Sequence, residues 1–399
     1  MKKKGYHVLL LLILITGVFA ILFYRRPELL KVLRYQNPDD QTYRIFPQSV
    51  VAKADTAFHF IRTNNRNDLD TVSVMNSKHE LVPFKKYFDD GQLTVFMVIR
   101  DDTLIYERCA PGYSDTTLST LFSVGKSMTS VLLGKALAEG RIKSLTDLLI
   151  TYVPELRSNP AFERITLRDL LSMKSGLEFR DAESNYLMAI FSDEAKYFYT
   201  DDIKKQLLST KSAQPPGTFY KYRSIDVFLL GWAIENATGQ KIAQYFQDKI
   251  WKKIGAEYPA SWGLDHPDGF ANTASRFQST AIDLAKIGRL YLNEGNYNGI
   301  QVIPEEWINE SVHLNAESPA LSKYWQKTTF HYMWWLPQLP VNGDFSAEGT
   351  RGQRLYVDPL TRTIIVQFAL KGGGDFPYRK ISRYLSGLPF AYPDSYKKD

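Results

Sequence analysis

Apolar and polar residues follow two different patterns along the chain. Two β-rich runs, LTVFMVIR at 93–100 and TLIYERC at 103–109, are separated by a pair of aspartates, which predicts a β-hairpin. Two further runs, 353–359 and 363–370, are joined by a short turn and predict a second hairpin near the C-terminus. Strand patterns therefore occur early and late in the part of the chain that we expect to fold.

Helical spacing dominates between these hairpins. Apolar residues recur at helical intervals from Ser123 to Glu139, and Gly140 is placed to end that helix. Further helices are predicted near 167–173, 226–239 and 279–295, and one after KGGGDF. Strands from distant parts of the chain with helices between them predict an α+β fold, in which one sheet carries a helical insertion.

The N-terminus has a basic start and an apolar run. Three lysines at 2–4 precede the run from Val8 to Phe23, and two arginines close it. This pattern is typical of a membrane anchor or a signal segment, and the lack of a clear cleavage site favours an uncleaved anchor. We expect an exported protein, anchored in the bacterial inner membrane with its main domain periplasmic or extracellular.

The length and composition permit one large folded unit. The 399 residues are 44% hydrophobic, which is ordinary for a globular protein. We expect the following segments: a basic cytoplasmic tail 1–6, a membrane anchor or signal segment 7–24, a linker and N-terminal extension 25–85, the main domain 86–390 and a polar tail 391–399. Much of the net charge of +6 flanks the apolar run, so no nucleic-acid partner is expected.

Ser123-Val124-Gly125-Lys126 is a Ser-x-x-Lys motif at the start of a predicted helix. Residues three apart share a helix face, so the lysine amine can reach the serine hydroxyl. A desolvated lysine with a lowered pKa can take the serine proton, and the helix N-terminus favours a developing oxyanion. The motif alone is weak, because about one or two chance matches are expected in a chain of this length. Ser395-x-x-Lys398 in the polar tail is another match.

Other catalytic motifs find less support in the sequence. Gly125-Lys126-Ser127 resembles the end of a phosphate-binding loop, but Thr120 occupies the position of the first glycine. The sequence has no Gly-x-Ser-x-Gly motif, and its histidines share no metal-binding spacing. A single cysteine, Cys109, excludes an intrachain disulfide and a cysteine-based metal cluster.

Five blocks in order resemble the serine β-lactamase-like family. They are LFSVGKSMTSVLLGKALAEGRI, ITLRDLLSMKSGLEF, PPGTFYKYRSIDVFLLGWAIENATG, STAIDLAKIGRLYLNEGNYNGIQVIPEEW and EGTRGQRLYVDP, within roughly residues 85–385. The family includes class C β-lactamases, D-Ala-D-Ala carboxypeptidases, esterases and 6-aminohexanoate-oligomer hydrolases, and the chain is most similar to the last branch. The resemblance implies an antiparallel sheet flanked by helices, with the site in a cleft beside a mostly helical subdomain.

The resemblance implies three catalytic side chains. Ser123 corresponds to the acylated serine and Lys126 to its hydrogen-bonded partner. Tyr222 corresponds to the tyrosine of the family's Tyr-x-Asn motif, where a phenol with its pKa lowered by nearby cations would carry the proton to the leaving group. Tyr220 is the alternative tyrosine, although the spacing from Pro216-Gly217 favours Tyr222.

The resemblance also implies residues that bind substrate. Ser224 replaces the usual asparagine, and Asp226 either binds a cationic or amide-bearing substrate or caps a helix. Gly349 retains the glycine of the family's third motif, and the oxyanion hole would use the backbone N–H groups of Ser123 and Thr350.

Two further features of this region concern the substrate. Ala347 stands where the family carries a cation, which weakens the case for a β-lactam substrate, although Arg351 or Arg354 is a candidate replacement. Trp335, next to Trp334, is expected either to line a pocket or to pack in the core.

The sequence thus predicts a serine hydrolase that cleaves an ester or amide bond of a small molecule or peptide through an acyl-enzyme, without a cofactor. A D-Ala-D-Ala carboxypeptidase and a β-lactamase are alternatives within the family. The alternative that is not an enzyme is a membrane-tethered binding protein of the same fold.

Overall fold

The structure, a computed structural model, describes residues 2–36, 38–76, 78–180, 189–314, 328–337, 343–371 and 377–390. The predicted polar tail 391–399, with its second Ser-x-x-Lys match, lies outside the described residues.

The α-helices of the described residues are α1 Lys2–Arg25, α2 Glu28–Tyr35, α3 Phe84–Asp90, α4 Val124–Ala138, α5 Leu149–Tyr152, α6 Leu167–Leu171, α7 Asp193–Tyr199, α8 Ile203–Leu208, α9 Ser224–Thr238, α10 Ile242–Phe246, α11 Ala281–Leu292, α12 Glu305–Val312 and α13 Tyr378–Leu385. The strands are β1 Gln48–Val51, β2 Ile61–Arg62, β3 Ser73–Met75, β4 Leu81–Pro83, β5 Leu93–Arg100, β6 Thr103–Cys109, β7 Ser119–Thr120, β8 Ala260–Gly263, β9 Phe277–Ser279, β10 Asn296–Tyr297, β11 Ile300–Gln301, β12 Thr328–His331, β13 Trp334–Pro337, β14 Phe345–Gly349, β15 Gln353–Asp358 and β16 Thr363–Ala369.

Both predicted hairpins belong to one eight-stranded sheet of order β12-β13-β14-β15-β16-β5-β6-β2. Asp101 and Asp102 have φ of +46° and +59°, as a two-residue type I′ turn requires. The hairpins join where β16 pairs antiparallel with β5, with Thr363 opposite Arg100. The sheet therefore combines distant parts of the chain, and the predicted α+β fold is confirmed.

Both faces of the central strands are buried. In β5, Val95, Met97 and Ile99 belong to the main core on the side of α4 and α11, whereas Phe96 and Val98 belong to a second core on the side of α3 and α13. This alternation follows from the two-residue repeat of a strand. Helix α4, which carries the Ser-x-x-Lys motif, is thus held between the sheet and the helical layer.

The region 25–85 contributes to the folded body. Strand β1 pairs antiparallel with β8 in a second sheet of order β1-β8-β9-β7, and β2 pairs in parallel with β6 at the edge of the main sheet. The prediction of a linker is therefore wrong for this part of the region, because these strands satisfy their backbone hydrogen bonds against the main domain.

Helix α1 covers the segment for which a membrane anchor or signal segment is predicted. Among the helices of the described residues, none combines the length and the apolar character that crossing a membrane requires. The predicted anchor is therefore not supported.

Candidate active site

The Ser-x-x-Lys pair lies at the N-terminus of α4. Strand β7 leads into Phe122, whose φ of +48° is unusual for an aromatic residue, and Ser123 follows as the N-terminal cap position of the helix. Such backbone strain persists where the surrounding structure holds it in place, and it often occurs at functional sites. The Lys126 Nζ atom lies 2.9 Å from Ser123 Oγ and donates a hydrogen bond to it.

Lys126 is buried, with 1% of its surface exposed. Its Nζ atom also donates to the carbonyl oxygen of Ala274 at 3.1 Å. Desolvation lowers the pKa of Lys126 to about 8, and the nearby Glu194 carboxylate opposes this shift only in part. A neutral amine is therefore accessible near physiological pH, and at this distance it can accept the proton of Ser123.

Tyr222 lies beside both Ser123 and Lys126. Its phenol is within hydrogen-bonding reach of the Ser123 hydroxyl, and its ring centroid is 5.0 Å from Lys126 Nζ. The ring stacks against Trp335 at 5.8 Å and meets Phe330 edge-on at 5.0 Å. Of the two candidate tyrosines, Tyr222 is thus the one beside Ser123.

The expected lowering of the Tyr222 pKa is wrong. Burial raises the pKa of its phenol, and the carboxylates of Glu194 and Glu348 raise it further, while the hydrogen bond with Ser123 offsets only part of the shift. Tyr222 is therefore a neutral phenol at ordinary pH. It can pass a proton along a hydrogen-bonded chain, but it is not the base that first removes one.

Ser224 and Asp226 lie behind the site. Ser224 Oγ donates to Glu194 Oε1 at 2.9 Å. Glu194 lines the cavity at Ser123, so Ser224 holds a residue of the site rather than lining the cavity itself. Asp226 is fully buried and accepts from Ser175 Oγ at 2.5 Å. Helix α9 has Arg223 at its cap position, so the capping role considered for Asp226 is wrong.

Burial raises the pKa of Asp226 to about 7. A carboxyl group with a raised pKa in the folded state favours folding at low pH, and this contribution is lost as the pH rises from about 4 to about 7. In the wild type, the free energy of unfolding should fall by roughly 1.4 kcal/mol for each pH unit over which the folded and unfolded proteins differ in protonation at Asp226. Asp226→Asn has no such proton, so its free energy of unfolding should not fall with pH in this way. Urea unfolding at pH 5 and pH 8 measures the free energy of unfolding of the wild type and of the variant. The same change between the two pH values in both proteins would contradict this prediction.

Strand β14 ends against the loop that precedes Ser123. A Cβ atom at Gly349 would lie 2.2 Å from the carbonyl oxygen of Leu121, so only glycine permits this approach. Thr350 follows directly and is exposed at the same cavity as Ser123. Gly349 therefore brings the backbone after β14 to the mouth of the Ser123 site, as an oxyanion hole would require.

Neither arginine considered as a replacement cation lines this cavity. Arg351 donates from Nε to the Pro38 carbonyl oxygen at 2.5 Å and from its terminal nitrogen to the Leu370 carbonyl oxygen at 2.7 Å. Arg354 is buried, with a nitrogen 3.3 Å from the Tyr378 hydroxyl oxygen. Ala347 is fully buried in the main core.

The adjacent tryptophans face different surroundings, as the alternation of a strand requires. Trp334 is fully buried and packs against Tyr291 at 4.5 Å. Trp335 is 7% exposed and stacks on Tyr222. Trp335 therefore supports the tyrosine of the site, whereas Trp334 belongs to the core.

A cavity of about 270 Å³ opens at Ser123. Its lining includes residues that the sequence did not single out, among them Glu194 of α7 and Ser275. Further lining residues precede the main domain, namely Val32 of α2, Gln36 and Pro38. None of these residues belongs to a recognisable motif, and only the folded chain brings them beside Ser123.

Comparison with known proteins identifies the family. The family model described as Beta-lactamase matches residues 90–385, most of the predicted main domain. The chain belongs to the beta-lactamase family. It is a hydrolase of that family, and the resemblance found in the sequence blocks is confirmed.

Two curated relatives within or near this family are similar over much of their length. The 6-aminohexanoate-dimer hydrolase of Paenarthrobacter ureafaciens is 25% identical over 294 residues, 69% of this chain and 71% of that protein. The "Putative D-alanyl-D-alanine carboxypeptidase" of Escherichia coli K12 is 20% identical over 372 residues, 74% of this chain and 82% of that protein.

Solved structures show the same fold. The "Putative 6-aminohexanoate-dimer hydrolase from Bacillus anthracis" superposes with a TM-score of 0.76 at 25% identity, covering 90% of this chain and 95% of that chain. A family VIII carboxylesterase has a TM-score of 0.55 at 18% identity, covering 75% and 93% of the two chains. The second similarity concerns the fold alone.

Proposed function

We propose that the protein hydrolyses an ester or amide bond through an acyl-enzyme formed on Ser123. The observation that carries this proposal is the 2.9 Å hydrogen bond between Ser123 Oγ and the buried amine of Lys126, whose pKa is lowered to about 8. A serine hydroxyl is a weak nucleophile without a nearby base, and this amine is a base available near neutral pH.

The proposed reaction has two halves. Neutral Lys126 takes the proton of Ser123 as Oγ attacks the carbonyl carbon, and the backbone N–H groups of Ser123 and Thr350 stabilise the oxyanion. The proton then passes from Lys126 by way of the Tyr222 phenol to the leaving group, and the carbon–leaving-group bond breaks. Water attacks the acyl-enzyme in the second half, with the same groups moving its proton, and frees Ser123.

The ester or amide preference rests on relatives and on position 347. The name of the Paenarthrobacter ureafaciens relative describes hydrolysis of a 6-aminohexanoate dimer, and the buried Ala347 offers no cation for the carboxylate of a β-lactam or cell-wall peptide. The carboxypeptidase named in the second relative is the alternative function, and a β-lactamase shares its chemistry of acylation.

A labelling experiment tests the proposal directly. The purified protein is treated with a fluorophosphonate and, separately, with a fluorescent penicillin, and the modified residue is mapped by peptide mass spectrometry. We expect the fluorophosphonate on Ser123 and no stable or transient penicillin adduct. A penicillin adduct on Ser123 would favour the carboxypeptidase or β-lactamase, and no labelling by either reagent would favour the non-catalytic binding protein.

Replacing Tyr222 by phenylalanine should lower kcat/KM for amide substrates about 10²-fold, because kcat/KM reports acylation and the variant cannot hand a proton to an amine leaving group in that step. A p-nitrophenyl ester should be affected much less, since its leaving group departs without protonation. Steady-state kinetics on both substrates measures the difference, and Tyr220→Phe is the matched control. Equal losses on both substrates, or a larger loss in the control, would contradict this role.

We also propose that the protein is exported, on the basis of the three lysines at 2–4 and the apolar run that follows them. Cell fractionation with mass spectrometry of the mature N-terminus tests this. Recovery of the intact chain in the cytoplasmic fraction would contradict it.

A further inference from the structure

Helix α2, Gln36 and residues 38–40, here called the N-terminal segment, lie at the mouth of the Ser123 cavity. Val32, Gln36 and Pro38 line this cavity together with Ser123, although all three precede the part of the chain that the family model matches. The cavity is thus closed on one side by residues outside the matched domain.

Hydrogen bonds fix the end of this segment to both walls of the site. The Asp40 carbonyl oxygen accepts from the backbone N–H of Thr120 at 2.9 Å, three residues before the nucleophile. The Pro38 carbonyl oxygen accepts from Arg351 Nε at 2.5 Å, one residue after Thr350. Because these two anchors lie close in the chain to Ser123 and Thr350, the segment has a defined position at the cavity that these two residues also line.

The side of the cavity formed by this segment is apolar. Val32 is 3% exposed and packs in a cluster with Phe122, Phe198 and Tyr199. The Tyr35 ring stacks on Tyr199 at 6.4 Å, which holds α2 against α7. An apolar wall of this kind stabilises the apolar part of a substrate by removing it from water.

Tyr222, which delivers the proton to the leaving group in the proposed reaction, is not among the residues that line the cavity. The leaving group is therefore expected on the Tyr222 side of Ser123, and the cavity is left for the acyl group.

We propose that Val32 and Gln36 limit the length of the apolar acyl group that the enzyme accepts. This inference rests on the proposed function and adds the substrate class, esters or amides of an aliphatic acid short enough to fit the cavity of about 270 Å³. The buried Val32 forms the inner wall of the cavity, and the exposed Gln36 narrows the mouth of the cavity.

The test compares p-nitrophenyl acetate, butanoate, octanoate and laurate as substrates of the full chain. Val32→Ala should raise the octanoate-to-butanoate ratio of kcat/KM about fivefold or more, and Gln36→Trp should lower it by a similar factor, as changes in a hydrophobic pocket commonly do. Leu33→Ala is the matched control, because Leu33 is 48% exposed on the same helix and does not line the cavity. Its ratio should equal that of the wild type.

The possible results separate the two proposals. Ratios that stay the same in both test variants would overturn the inference and leave the acyl-enzyme intact. Failure to hydrolyse any ester, together with no fluorophosphonate labelling, would overturn the proposed function and the inference with it. If Val32→Ala does not fold, the ratio for Gln36→Trp decides alone, because its side chain is exposed.

Discussion

Ser123→Ala should lower kcat/KM about 10⁴-fold or more on every substrate that the wild type hydrolyses, because the variant has no oxygen that can form the acyl-enzyme. It should also lose all fluorophosphonate labelling. Steady-state kinetics and intact-mass measurement check the two expectations. The fold should be retained, since the change removes a single oxygen atom at the start of α4.

Ser130→Ala is the matched control for this prediction. Ser130 lies on the same helix, is fully buried, and its Oγ atom has no hydrogen-bond partner among the described residues. Its replacement should leave activity unchanged and favour folding slightly, because it removes an unsatisfied polar group from the core. Full activity in Ser123→Ala, or a comparable loss in Ser130→Ala, would exclude Ser123 as the nucleophile.

Lys126→Met should lower kcat about 10³-fold, because methionine preserves much of the volume of the side chain but cannot accept a proton. In the wild type, only neutral Lys126 is a base, so activity should rise with pH through a midpoint near the pKa of about 8. The residual activity of the variant should lack this midpoint. A pH–rate profile of both proteins from pH 6 to pH 10 measures the effect.

Lys135→Met serves as the control on the same helix. Lys135 is partly exposed, near Glu139 rather than Ser123, so its loss should preserve both the rate and the midpoint. If Lys126→Met kept the midpoint near pH 8, another group would have to be the base. If the wild type showed a flat profile in this range, the amine would not be taking the proton in the rate-determining step.

Local signals in the sequence accounted for the parts of the fold that depend on neighbouring residues. The hairpin of β5 and β6 has its predicted bounds, because alternating β-rich runs and two turn-forming aspartates act over a few residues. Helix α4 and its Ser-x-x-Lys pair are equally local, because the spacing of three puts both side chains on one helix face. The family resemblance added the order of the blocks and, through them, Tyr222.

Burial and contacts between distant residues decided the features of the site that the sequence left open or that were predicted wrongly. The Tyr222 pKa is raised rather than lowered because desolvation outweighs the effect of the hydrogen bond with Ser123, and desolvation depends on every element packed around the ring. Neither Glu194 nor Val32 belongs to a sequence motif. They line the cavity at Ser123 only because α7 and α2 pack beside it in the folded chain. Arg351 was considered for substrate binding, but it holds the Pro38 carbonyl instead.

The sequence by itself therefore determined the α+β class, the hairpins and the Ser123–Lys126 pair, since each depends on residues close together in the chain or on ordered blocks. The tertiary structure alone decided the surroundings of that pair: the electrostatics of the site, the walls of its cavity and the part played by the N-terminal region. Solvent exclusion and contacts between distant residues arise only when the whole chain is packed.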